Sequence, residues 1–110
     1  MSTATIDRTA RICALNDNLR TTFGGGKVML SASVTEMGHE LKAAALMEMR
    51  KFTAFDGGND PHRGHDFGAF EIGHYRFLFK IDLYEEPDVK NANGEPVVTR
   101  VLTIMLAEEY

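Results

Sequence analysis

The feature that most constrains the fold is a predicted β-hairpin. Residues 67–72 and 75–84 alternate apolar and polar side chains as half-buried strands do, and Gly73-His74 between them suits a two-residue type II′ turn. Such a turn fixes the register, so that paired residue numbers sum to 147. Glu71 then faces Arg76 as a complementary charge pair on the polar face. The segment therefore predicts two antiparallel strands that turn one face toward a core.

The rest of the chain predicts two helices and two further strands. Apolar residues at spacings of three and four, followed by three glycines, predict a first helix, and a second stripe of the same kind follows an alternating strand. Stretches rich in Asp, Asn, Gly and Pro predict loops on both sides of the hairpin, and a β-branched run predicts a last strand well inside the sheet. The predicted bounds are about Ile6–Thr22 for the first helix, with Ile12, Leu15, Leu19 and Phe23 on its apolar stripe, 28–34 for the first strand, between Thr35 and His39 to about Phe52 for the second helix, 55–66 and 85–96 for the loops, and 97–107 for the last strand.

This order of elements, αβαβββ, predicts an α+β fold. We expect an antiparallel four-stranded sheet with two helices packed on one face. A chain of 110 residues with no repeat or linker is predicted to form one domain, residues 1–110. Leu46 and Met47 lie off the apolar stripe of the second helix. They either join the same core, which we favour, or make the helix a contact surface for a homo-oligomer.

Charge is distributed unevenly along the chain. Residues 1–34 carry four basic and two acidic residues, whereas residues 55–110 carry eleven acidic and five basic ones. A nucleic-acid binder normally presents a basic stripe, because neutralising phosphates drives its affinity, so direct nucleic-acid binding is disfavoured. The acidic second half is either a solvated surface or a surface that meets a basic protein partner.

The first 16 residues contain no apolar block long enough for a signal peptide or a membrane span. We therefore expect a cytoplasmic protein with no membrane partner. Cys13 is the single cysteine, so no internal disulfide can form, and its position in the helical pattern predicts a packing thiol. A nucleophilic role would require a nearby base or cation that lowers its pKa.

The hairpin register also predicts a polar site. Extended outward, it places His65 opposite Asp82 and beside Lys80, and a histidine oriented by a carboxylate is the arrangement that general base catalysis uses. These three residues are the catalytic candidates. Two histidines with nearby aspartates can also hold a divalent transition metal, and the candidate ligands are Asp60, His62, His65 and Asp66. The same side chains can instead cap backbone groups of the loop, and we expect no cofactor unless the loop holds a metal.

Three blocks of the sequence resemble a small bacterial family of unknown function. The blocks are Asn59-Asp60-Pro61-His62 with His65-Asp66-Phe67-Gly68, Phe79-Lys80-Ile81-Asp82 with Tyr84, and the final segment 99–110, Thr-Arg-Val-Leu-Thr-Ile-Met-Leu-Ala-Glu-Glu-Tyr. The resemblance covers about Arg11 to Tyr110. It implies a single-domain protein of the kind often carried on plasmids and other mobile elements, near partition and antirestriction genes.

The chain departs from that family at two places. Leu83 stands where the family has a second tyrosine, and Arg63-Gly64 stand where an acidic residue commonly precedes the histidine. The second departure counts against a metal site that depends on that acid.

Two classes of function follow from these observations. The first is a non-catalytic accessory protein of a mobile element that binds a host or plasmid protein, including a role in counter-defence of the antirestriction or anti-CRISPR type. The second is a metal-dependent or His/Asp hydrolase that uses the loop residues 60–66 and Asp82. The absence of a specific catalytic motif and the acidic second half favour the first class.

Overall fold

The computed structural model describes residues 3–110, with side chains from residue 8 onward. The elements in this part of the chain are α1 (Thr3–Thr22), β1 (Lys27–Leu30), a short helix α2 (Ala32–Thr35), α3 (His39–Lys51), β2 (Phe67–Ile72), β3 (Tyr75–Lys90), β4 (Pro96–Leu106) and a 3₁₀ turn (Ala107–Glu109). The α+β class is confirmed.

The predicted hairpin and its register are confirmed. β2 and β3 pair antiparallel from Ile72↔Tyr75 to Phe67↔Lys80, so every pair sums to 147. Gly73 has a positive φ of 60°, which a type II′ turn requires at its first central position. The two-residue turn therefore sets the register, as the sequence predicts.

The sheet is mixed rather than purely antiparallel, which corrects the prediction. Its strand order is β1-β4-β3-β2, and β1 runs parallel to β4 while the other neighbours are antiparallel. Between β1 and β4 the chain passes through α2, α3, the long loop, β2 and β3, and a connection of this length permits parallel pairing. β4 lies between β1 and β3, which confirms its predicted interior position.

The first strand is shorter than predicted. β1 ends at Leu30, because the Ser31 side chain accepts a hydrogen bond from the backbone N–H of Val34 and starts α2. The predicted second helix corresponds to α3 and has nearly the predicted bounds. Leu46 packs partly against the core, as we favoured, whereas Met47 is 49% exposed.

The predicted loop 85–96 is largely wrong, because β3 and β4 continue as a two-stranded ribbon and only a tight turn at 91–95 remains. A register irregularity between Glu86 and Lys90 accommodates Pro87, which lacks an N–H for a regular ladder. Among residues 3–110, β1 pairs with β4 only along 101–104 and β2 pairs with β3 only along 75–80. The ribbon 83–100 therefore extends beyond the four-stranded part of the sheet, and we call it the arm.

One hydrophobic core lies between the helices and one face of the sheet. Its buried side chains come from α1, α2, α3 and the two central strands: Leu19, Val34, Ala45, Met49, Phe52, Phe77, Phe79, Ile81, Leu102, Ile104 and Leu106. Leu19 alone represents the predicted α1 stripe in this buried cluster, whereas Ile12, Leu15 and Phe23 are partly exposed. Asn16 and Arg20 of α1 are buried instead. A polar surface of α1 therefore lies under the loop 52–66.

Candidate functional site

The predicted pair between His65 and Asp82 is wrong. The β2–β3 ladder ends at Phe67, and one further hydrogen bond joins the N–H of Ile81 to the carbonyl of Asp66. His65 has a left-handed φ of 56°, which an extended strand cannot contain. The chain therefore turns away from β3 at this residue and carries the imidazole toward α1.

His65 pairs with a carboxylate of α1. Its Nδ1 lies 2.9 Å from Oδ1 and 3.1 Å from Oδ2 of Asp17. Its backbone N–H donates to Oδ1 of Asp60 at 3.1 Å, and its Nε2 lies 3.7 Å from Oδ2 of the same buried carboxylate. Phe55 stacks on the imidazole, with ring centres 3.9 Å apart and planes within 3°. The ring is thus held on two edges and one face.

Arg20 connects this pair to the end of α3. Its Nη2 donates to Oδ1 of Asp17 at 2.9 Å, and its Nη1 lies within hydrogen-bonding distance of the carbonyls of Met49, Arg50 and Phe52. The last carbonyls of a helix have no partner inside the helix, so the guanidinium satisfies them and its charge opposes the negative end of the helix dipole. The same group lies over the rings of Phe55 and Phe79.

The environment shifts the pKa values of Asp17 and Cys13 in opposite directions. Partial burial works to raise the pKa of Asp17, but hydrogen bonds from His65 and Arg20 outweigh it, so the net pKa lies below its usual value. The Cys13 thiol, whose Sγ lies 3.7 Å from Oδ2 of Asp17, has a raised pKa because of burial and the adjacent carboxylate. Asp17 is therefore ionised at neutral pH and Cys13 is a thiol, not an activated nucleophile.

Asp82 and Lys80 form a separate ion pair. The ammonium of Lys80 donates to Oδ2 of Asp82 at 2.8 Å, and this hydrogen bond raises the pKa of Lys80. Both residues alternate with the core residues Phe79 and Ile81, so they lie on the sheet face opposite the helices. Two of the three catalytic candidates are thus separated from His65 by the sheet.

The metal candidates of the loop do not converge as one group. Asp60 and His65 are neighbours, whereas the side chain of Asp66 is exposed. His62 is exposed as well and lines a surface cavity of about 540 Å³ with Cys13, His65 and Arg63. Among the described residues, one group brings three potential ligand atoms within 4.8 Å of one another, and it consists of Cys13, Asp17 and His65.

Sequence reasoning missed the contribution of α1. Asn16 donates from Nδ2 to the carbonyl of Gly64, next to Asp17 and His65, and holds the loop against the helix. The spacing Cys13, Asn16, Asp17 and Arg20 is a signal that was present, because these residues share one side of a helix adjacent to Leu19. The apolar residues of this helix have the same period, so the polar stripe beside them is not distinct in the sequence.

The comparisons with known proteins identify a family. Residues 30–109 match the model of DUF3768, described as a protein of unknown function. The chain belongs to the DUF3768 family. The expected membership of a family of unknown function is confirmed, and the DUF3768 segment contains α2, α3, the loop and strands β2 to β4, but not α1 and, apart from Leu30, not β1. No curated protein and no solved structure gives a significant match to the chain.

No helix between residues 3 and 110 combines the length and the apolar character that are needed to cross a membrane.

Proposed function

We propose that the protein is a non-catalytic accessory protein that binds another protein through the arm. The observation that carries this proposal is the apolar surface of a ribbon that contributes little to the core. Leu83 and Val98 are 58% and 52% exposed, and Tyr84 and Val89 are about as accessible. Exposed apolar side chains that cluster on one projecting element are typical of interaction sites.

The backbone of the arm supports the same proposal. Leu83 pairs with Arg100 and Val98 pairs with Glu85, so Leu83 and Val98 are diagonal neighbours on one face. Beyond β1 and β2, the outer edges of both arm strands have no strand partner among residues 3–110. An unpaired edge can add a strand of another chain through main-chain hydrogen bonds, and the side chains beside it then select the sequence.

The charge of the arm indicates the chemistry of the partner. Residues 83–100 contain four acidic and two basic residues, so the arm has a formal charge of −2. A partner that offers a basic surface around an extended apolar segment would complement it. The family resemblance suggests a host or plasmid protein met in the cytoplasm, including a component of a restriction or CRISPR system that a mobile element counters.

The experiment is site-specific photo-cross-linking in the native host. A photoreactive amino acid replaces Val98 in one protein and Met47, which is similarly exposed on α3, in the control. We expect an adduct with one defined basic protein from position 98 and none from position 47. In the protein labelled at position 98, Leu83→Ser lowers the yield of that adduct by about tenfold, because it removes apolar contact area, whereas Met47→Ser leaves the yield unchanged.

Two results would contradict the proposal. Equal adducts from both positions would mean that the arm has no special affinity, and an adduct with a second copy of this chain would make the surface a self-association site. Circular dichroism of each variant shows whether the fold is intact.

The hydrolase alternative retains one supporting observation. Asp17 orients His65 beside the 540 Å³ cavity, as a carboxylate orients a general base. The dyad with Asp82 is absent, and the raised pKa of Cys13 disfavours a thiolate nucleophile. This alternative requires that the purified protein hydrolyses an activated ester and that His65→Asn abolishes the reaction.

A further inference from the structure

We propose that Cys13, Asp17 and His65 form a binding site for a divalent transition metal of the zinc type. The site joins α1 to the loop 52–66 and is independent of the proposed partner surface. It differs from the ligand set that the sequence predicts, because two of its three members come from α1 and were not candidates.

The ligand geometry is the first argument. Ligand atoms around a tetrahedral zinc ion lie about 3.3–3.8 Å from one another, given bond lengths of about 2.0–2.3 Å. Oδ2 of Asp17 lies 3.1 Å from Nδ1 of His65 and 3.7 Å from Sγ of Cys13. All three ligand atoms fall within 4.8 Å, so small side-chain rotations bring them to bonding positions. Sulfur, imidazole nitrogen and carboxylate oxygen are together the donor set that zinc and cobalt accept.

The groups around the ligands are the second argument. Asp60, which is 6% exposed, places Oδ2 at 3.7 Å from Nε2 of His65. This distance is too long for a hydrogen bond, but a carboxylate on this side of the ring favours the proton on Nε2, which is the tautomer whose Nδ1 can bind the metal. Arg20 holds Oδ1 of Asp17 and leaves Oδ2 directed toward Cys13. The two ligands Asp17 and His65 are therefore oriented by Arg20 and Asp60, which are themselves buried.

Charge balance is the third argument. A thiolate and a carboxylate supply two negative charges, which a divalent cation neutralises, and the imidazole binds as a neutral ligand. Binding releases the thiol proton of Cys13 and leaves the remaining imidazole proton on Nε2, next to Asp60. The cavity lined by Cys13 and His65 leaves the fourth position open to water or to a small ligand.

The test is a titration of the full chain, without an affinity tag and freed of metal by a chelator, with Co²⁺ alone. We expect saturation at one ion per chain with an absorption band from thiolate-to-cobalt charge transfer. Zn²⁺ should displace the cobalt and raise the melting temperature. Cys13→Ser removes the band, and Asp60→Asn weakens binding by about 10–100-fold, as losses of such supporting carboxylates do. The matched control is His74→Asn in the β2–β3 turn, which leaves the titration unchanged.

Three results would overturn the inference. No charge-transfer band at saturating Co²⁺, or the same band in Cys13→Ser, would exclude the thiolate as a ligand. Loss of the band in His62→Asn would mean that the fourth position is a protein ligand and not open. Because the titration needs no protein partner, its outcome is independent of the cross-linking result.

Discussion

Arg20 joins three parts of the molecule through one side chain. It is 4% exposed, and its guanidinium bonds to Asp17 on its own helix and to the last carbonyls of α3 while it covers the ring of Phe55. A buried charge is costly unless it is paired and hydrogen-bonded. The two terminal nitrogens of Arg20 meet this condition, whereas its buried Nε has no hydrogen-bond partner among the described residues. The network around His65 therefore depends on this residue for its position relative to α3.

Replacing Arg20 by methionine should destabilise the protein by about 2–3 kcal/mol, because Asp17 and the carbonyls at the end of α3 lose their donor. The free energy of unfolding from urea denaturation measures the effect. The matched control is Arg11→Met, since Arg11 is an exposed residue of the same helix and its replacement should change stability by less than about 0.5 kcal/mol. Similar losses of unfolding free energy in both variants would show that the buried network of Arg20 does not stabilise the protein.

At the same scale, the sequence predicted that a carboxylate pairs with His65, but it predicted the wrong carboxylate. The register rule holds as far as Phe67, and the left-handed backbone at Arg63 and His65 then ends the ladder. A positive φ at a residue other than glycine is uncommon and is imposed by surrounding contacts, here the hydrogen bond from His65 N–H to Asp60. Such contacts leave no local pattern in the sequence. The pairing of His65 with Asp17, which is 48 residues away, could therefore not be predicted.

Among the elements, β2 begins close to the end of α3. A Cβ on Gly68 would lie 2.5 Å from the ring of Phe79 and 2.7 Å from that of Phe52. Both rings are buried, and they pack edge to face with centres 5.4 Å apart. The absence of a side chain at position 68 therefore lets the end of α3 rest on the sheet.

We expect Gly68→Ala to destabilise the protein by about 1–3 kcal/mol, since the added methyl group overpacks two rings that cannot move far. Thermal unfolding measures the change. Gly57→Ala is the control, because a Cβ there meets nothing within 4 Å. A melting temperature as high as that of the control would mean that the two rings repack without cost.

Element prediction succeeded where periodicity was long and failed where sequence composition misled. The hairpin and α3 follow regular patterns: the hairpin register and the bounds of α3 agree closely with the prediction, whereas β3 ends at Lys90 and not at Tyr84. The arm was assigned to a loop because Pro87, Asn93 and Gly94 are turn formers. In the structure, Asn93 and Gly94 lie in the turn, whereas Pro87 lies within β3 at an irregularity of the ladder. Composition alone does not distinguish these two situations.

On the scale of the whole molecule, the arm contributes no buried side chain to the hydrophobic core. The core residues of β3 and β4 lie at 77–81 and 102–106, whereas the arm residues Leu83, Tyr84, Val89 and Val98 face solvent. Stability is therefore concentrated in the four-stranded part of the sheet and in the helices packed on it, and the arm belongs to the least stable part of the fold.

This separation predicts that the arm can be shortened without loss of the fold. In the proposed variant, Asn-Gly replaces residues 86–97 and closes the strands after the pair Glu85↔Val98. The free energy of unfolding should change by less than about 1 kcal/mol. For a domain of this size, 1 kcal/mol corresponds to about 4–8 °C in melting temperature, so the shift should be smaller than that. Amide hydrogen exchange should show unchanged protection in 77–81 and 102–106. The matched control replaces only the turn 91–95 by Asn-Gly and keeps the apolar surface, so it should retain the cross-linked partner. The shortened variant, labelled at position 98, keeps Leu83 and Tyr84 but lacks Val89 and the free strand edges beyond Glu85 and Val98, so it should give a lower yield of the same adduct. A shortened variant that unfolds without cooperativity would show that the arm supports the core, and the exposed side chains would then need a structural explanation.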